Sequence, residues 1–157
     1  MKKKQPKFVG KGWGYEKWYV DSEEDCGKLL FIKKNHRCSW HYHILKDETF
    51  YRQSGRIELF YSKDNDRDSA KTMILEPGDS FHCCRNTRHQ MLALEDSELF
   101  EFSTEHFDND SHRLIPGDWG TPQLLQSYNL LARTYLLWYN IGTYPLSEVE
   151  MGLESIS

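Results

Sequence analysis

The chain has 157 residues, with 20 Lys and Arg against 24 Asp and Glu and a formal net charge of −4 with neutral histidines. That length suits a single domain burying about two-thirds of the surface its unfolded chain exposes, so neither disulfides nor a structural metal are needed for folding, and any metal points to function. Mild acidity without a broad basic stripe excludes a dedicated binder of nucleic acid, and an aromatic content of 14% excludes a disordered chain.

Residues 1–12 read as a basic, Gly-bearing arm to which no chemistry is assigned. Gly10, Lys11 and Gly12 stand where a signal peptide would carry its apolar segment, so no export is expected. From Trp13 onward, short β-branched or aromatic runs alternate with turn clusters. The runs are Trp18-Tyr19-Val20, Lys28 to Ile32, Thr49-Phe50-Tyr51, Arg56 to Tyr61, Lys71 to Leu75 and Glu98 to Phe102, and a further apolar strand opens at His89. Strands recurring about every 8 to 12 residues predict an all-β sandwich or barrel over residues 13–114. Turn signals separate them at Ser54-Gly55, along the polar run from Lys63 to Ser69, and at Glu76-Pro77-Gly78-Asp79.

Residues 115–157 form a C-terminal extension of different character. Leu124, Leu125, Tyr128, Leu131, Tyr135 and Leu136 recur at helical spacing, with Thr121-Pro122 as the start signal and Asn140 to Gly142 as the stop. This stripe reads as packing, against the core or a second copy. No apolar run nears the roughly 20 residues that cross a bilayer, so no membrane partner is expected. The cysteines at 26, 38, 83 and 84 contain no C-x-x-C pair, which predicts reduced thiols and a cytoplasmic location.

The chemistry concentrates in two segments. In a strand, residues i and i+2 share a face, so His41 and His43 present two imidazoles side by side. Glu48 follows after a connection that reverses the chain, and Gly55 permits a sharp turn at the end of the next strand. Two imidazoles and a carboxylate suit Zn, Mn, Fe, Co or Ni. In the second segment, Pro77-Gly78-Asp79 makes a turn and His89 adds a third imidazole.

His41-x-His43, four residues to Glu48 and six more to Gly55 resemble the first motif of the cupin superfamily, and Pro77-Gly78-Asp79 leading to His89 resembles the second. Cys84, Arg85 and Asn86 replace the usual Pro or Gly positions before that histidine. The resemblance implies a small jelly-roll β-barrel with one divalent metal inside, held by His41, His43, Glu48 and His89, the ion being Mn, Zn or Fe; barrels of this type commonly form homodimers. A narrower resemblance runs from Trp13 to Leu114 through Gly27-Lys28-Leu29-Leu30, Ser39-Trp40-His41-Tyr42-His43, Glu101-Phe102-Ser103-Thr104 with His106, and Asp110 to Leu114. These segments look like sugar-handling cupins of the D-lyxose isomerase type. They imply metal-dependent aldose–ketose isomerisation of a small sugar.

Such an isomerisation moves a proton between adjacent carbons through an enediolate, and needs a Lewis acid and a base. Glu101 alternates with Leu99 and Ser103 on one strand face; if that face is the interior, burial would raise its pKa and suit it to base work. Glu101 has a second reading, as a buried ion-pair partner of an arginine. Lys46, paired with Glu101 in the catalytic assignment, Asp110 and Arg113 are candidates to hold substrate hydroxyls or an anionic group. The plainer readings are loop charge for Lys46 and a surface salt bridge for Asp110 with Arg113. His82 reads as a polar residue lining the barrel. Two other functions fit the same ligand set: an Fe(II)-dependent dioxygenase, and a non-catalytic sugar-binding module.

Overall fold

In the computed structural model, which describes residues 3–118, the chain is nearly all strand. The elements are β1 (Lys7–Lys11), β2 (Gly14–Asp21), β3 (Asp25–Ile32), β4 (Trp40–Tyr42), β5 (Glu48–Ser54), β6 (Ile57–Ser62), β7 (Lys71–Leu75), β8 (Ser80–Cys83), β9 (Arg88–Ala93), β10 (Ser97–Thr104), a 3-10 turn (Asp108–Asp110) and β11 (His112–Ile115). They form two antiparallel sheets, one ordered β1-β2-β3-β10-β5-β8 and the other β11-β4-β9-β6-β7. From β3 onward the chain passes from one sheet to the other at every connection except β6–β7, the jelly-roll arrangement expected for an all-β barrel of this kind. The C-terminal helix expected from Thr121 lies outside the described residues.

Period-two alternation builds the interior. In β5, Glu48, Phe50 and Arg52 are buried while Tyr51 and Gln53 are exposed; in β10, Ser97, Leu99 and Glu101 are buried. Leu30, Ile32, Phe50, Ile57, Leu59, Met91 and Leu99 form the centre of the apolar core. Gly55 holds φ at 78°, and a Cβ there would stand 2.3 Å from the Asp96 carbonyl oxygen, so the β5–β6 turn requires glycine. The polar run from Lys63 falls in the loop joining β6 to β7, which pair antiparallel.

Two boundaries differ from the sequence reading. Lys7–Lys11, inside the supposed arm, pairs with β2 from Lys7 opposite Trp18 to Lys11 opposite Gly14. The exposed edge of β2 offers a row of unpaired backbone groups, and a short turn at Gly12-Trp13 folds the preceding residues onto it. At the other end, β11 continues to Ile115. All four cysteines are free, three of them buried and Cys84 exposed. No helix among the described residues is long and apolar enough to cross a membrane.

Candidate metal centre

β4 and β9 run antiparallel with His41 directly opposite His89, and His43 lies one residue beyond the end of β4. The His41 ring centroid stands 4.3 Å from that of His89 and 5.0 Å from that of His43. Glu48, the first residue of β5, comes from the opposite sheet, with carboxylate oxygens 3.6 Å from His43 Nε2 and 3.4 Å from His89 Nε2. One ligand atom from each histidine lies within 4.8 Å of the other two.

Backbone carbonyls set the tautomer of all three rings. Nδ1 of His41 lies 2.9 Å from the Ser39 carbonyl oxygen, Nδ1 of His43 2.8 Å from that of Asp110, and Nδ1 of His89 3.1 Å from that of Thr87. A carbonyl only accepts, so each Nδ1 carries the proton and each Nε2 keeps its lone pair for the site. Burial pushes the histidine pKa values down, to about 3 for His43 and about 4 for His89. For His41 the two neighbouring imidazoles add to burial in lowering it. Three neutral imidazoles with oriented lone pairs and a facing carboxylate fit a divalent transition metal.

Beside this donor set lies a line of buried alternating charge. Lys46 Nζ is 2.5 Å from Glu48 Oε1 and 2.9 Å from Glu101 Oε1, and Lys28 Nζ is 3.5 Å from the same Glu101 oxygen. All four side chains are nearly sealed from solvent. Burial and the Glu101 charge push Glu48 up, against the pull of Lys46. Glu101 is equally buried, which alone would raise it, yet Lys46 and Lys28 hold it well below the usual carboxylate range. The same carboxylates keep Lys46 protonated despite its burial.

Three expectations are corrected here. Glu101 faces the interior, but its pKa moves down, because two ammonium groups outweigh desolvation; its partners are lysines and not an arginine. Asp110 is not aimed at a substrate. Its carboxylate accepts the backbone N–H groups of Ile44 (2.9 Å), Leu45 (3.1 Å) and Lys46 (2.9 Å), which clamps the loop carrying His43 and Lys46. His82 points outward, 58% exposed, and pairs with Asp47 at 2.8 Å. Lys46 itself is buried within the array, and Arg113 is exposed at the cavity wall.

Lys28 was missed by the sequence reading, as was the role of its neighbours Trp18 and His106. Lys28 lies opposite Glu101 in the β3–β10 pairing, so the two share the interior face. Its Nζ stands 4.1 Å from the Trp18 ring centroid and 3.3 Å from His106 Nδ1. The signal was present as an inward position alternating with Leu30 and Ile32, but a lone lysine in an apolar run does not announce its partner. Metal ligands and charge array line one cavity of about 970 Å³, with Trp13, Trp18 and Phe50 among its apolar walls.

No protein-family model matches the chain, and no curated protein matches it. Solved structures do. KdgF from Halomonas sp. is 21% identical with a TM-score of 0.53 over 60% of this chain and 81% of its own. An RmlC-like cupin from Shewanella frigidimarina is 15% identical with a TM-score of 0.57 over 67% and 88%. The fold is that of the cupins. The capsular polysaccharide assembling protein CapF from Staphylococcus aureus superposes with a TM-score of 0.60 at 15% identity over 74% of this chain and 34% of its own. In all three cases the likeness carries the architecture, and the chemistry of this chain rests on its own side chains.

Proposed function

We propose that this cupin is a metal-dependent enzyme that interconverts an aldose and a ketose of small size, as its resemblance to D-lyxose isomerase-type cupins implies. The supporting observation is that the Lys46–Glu101–Lys28 array and the His41, His43, His89 and Glu48 donor set line the same cavity. A divalent ion bound by those four residues would act as a Lewis acid toward two adjacent sugar oxygens.

The protein's own groups divide the remaining work. Glu101 is ionised, the state a base requires; the two lysines engaging its Oε1 lower its basicity, and a divalent ion on the sugar oxygens would offset this by acidifying the C–H it must take. Oε2, which has no hydrogen bond among the described residues, is the atom assigned to carry the proton between the two carbons. The Lys46 ammonium stands beside the charge that develops as the enediolate forms and opposes its cost in a low-dielectric site. Trp13 contributes flat apolar surface to the cavity wall, suited to the C–H face of a sugar. The buried acid–base array adjoining the donor set suits a proton moved between adjacent carbons, which is why isomerisation is preferred here to the dioxygenase reading.

The test is an anaerobic assay of Mn-, Zn- and Fe-loaded protein against a panel of free and phosphorylated aldoses, scored for ketose. Ketose formation without oxygen supports the proposal. Turnover strictly dependent on Fe(II) and oxygen uptake would establish the dioxygenase instead, and sugar binding without either reaction would leave a binding module.

A further inference from the structure

Lys7, Val9 and Lys11 of β1 line the same cavity as the metal ligands, so the segment given no chemistry in the sequence forms part of its wall. β1 and β11 are the edge strands of their respective sheets, and each contributes a cation to that wall, Lys7 and Arg113. The acids lining the cavity are engaged elsewhere. Glu16 pairs with Lys11 at 3.1 Å and Asp118 with Arg37 at 3.8 Å, Asp108 stands fully exposed beside the neutral ring of His106 at 3.4 Å, and Glu48 and Glu101 belong to the buried array. Among the described residues, no carboxylate lies within ion-pairing distance of Lys7 or Arg113. Lys7 Nζ sits 4.3 Å from the centroid of the Trp18 ring, which has Lys28 Nζ at 4.1 Å, so one indole serves two ammonium groups.

Deeper in the cavity, Glu48 and Glu101 balance Lys46 and Lys28, and the histidine ligands are neutral. Lys7 and Arg113 are thus the lining cations that no carboxylate faces among the described residues, and a bound molecule can supply the negative charge opposite them. We propose that the substrate is an anionic sugar, with its reacting carbons toward the histidines and a phosphate or carboxylate at its other end held by Lys7 and Arg113. The inference rests on the sugar reading above and narrows its substrate class.

Calorimetric titration of metal-loaded protein with an aldopentose, its 5-phosphate and a hexuronate tests it, alongside Lys7→Gln and Arg113→Gln. One of the two acids is expected to bind at least about ten-fold more tightly than the neutral sugar, with an advantage that shrinks as salt is raised. Which acid gains identifies the group. Each substitution should remove most of that advantage while leaving metal stoichiometry unchanged, and Arg113→Lys should restore part of it. Both positions are exposed, so the variants are expected to fold, and a melting curve verifies this. Equal affinity for all three sugars, or a preference that survives both substitutions, overturns the inference. Charge-dependent binding without ketose formation would sink the isomerase and leave the anionic ligand standing; isomerisation of neutral aldoses with no gain from the acids would do the reverse.

Discussion

The inward positions of β3, β5, β9 and β10 change character along each strand. At one level stand Lys28, Glu48, His89 and Glu101; two residues away on the same strand faces stand Leu30, Phe50, Met91 and Leu99. The backbone geometry and degree of burial are alike, so the difference lies in what burial does. The apolar level gains roughly 1.5–3 kcal/mol for each large side chain removed from water. The charged level loses solvation and recovers it only by pairing, so replacing it with apolar residues would leave a barrel at least as stable. A layer that stability does not require is where the proposed chemistry is placed.

Replacing members of each level separates the two roles. His41→Ala should abolish stoichiometric metal binding while the barrel still folds; elemental analysis showing one ion per chain would break the ligand assignment. Glu101→Gln should keep the metal and lower turnover by about 10²–10⁴-fold, the usual worth of a positioned base, as read from kcat under saturating sugar. Leu99→Ala should destabilise by about 2–5 kcal/mol in denaturant titration and leave metal stoichiometry intact, the inverse of His41→Ala. Asp110→Ala frees the loop that carries His43 and Lys46, and should weaken metal affinity about 10–100-fold in a competition with chelator, with a smaller effect on folding.

The smallest effect concerns pH in the metal-free protein. Burial holds His43 and His89 at about 3 and about 4, below their ordinary value in the unfolded chain. Between that unfolded value, near about 6.5, and the folded values, the unfolded chain binds protons that the barrel refuses, so stability falls as pH drops. Each histidine contributes up to about 1.4 kcal/mol per pH unit within that window, and Glu48, raised to about 7 by burial and the Glu101 charge, offsets one of them with the opposite sign, so the histidines together still set the direction. Denaturation curves from pH 7 to 5 should show this slope, and bound metal should flatten it. A stability independent of pH over that range would mean that the imidazoles are not buried as described.

The strands and the candidate donors His41, His43 and Glu48 were legible in the sequence because their signals are local, and His89 joins those donors through the β4–β9 pairing. Strand periodicity, the turn residues and the His41-x-His43 spacing all operate within a few positions. The charge array was only half legible, since Lys28 and Glu101 meet through a strand register that joins distant segments. Asp110 misled for a related reason: an acid near a basic residue suggests a surface pair, whereas its true partners are backbone N–H groups more than sixty positions away. Arg52 gave no warning at all. It occupies an inward position of β5 below Phe50, donates through Nη1 to the Glu98 carbonyl, and keeps Nε and Nη2 without a partner among the described residues. Lys7 was hidden by its place in a terminal basic run, which reads as a solvated tail until its pairing with β2 is known.

The central claim is that the charged level of the interior moves a proton on a metal-bound sugar. Its most direct test is deuterium exchange, followed by NMR, at the carbon next to the carbonyl of the preferred sugar in heavy water with metal-loaded protein. Deuterium should enter at that carbon with wild-type protein, and the rate should collapse in Glu101→Gln with the metal still bound. No exchange with wild-type protein, or an undiminished rate in Glu101→Gln, would contradict it.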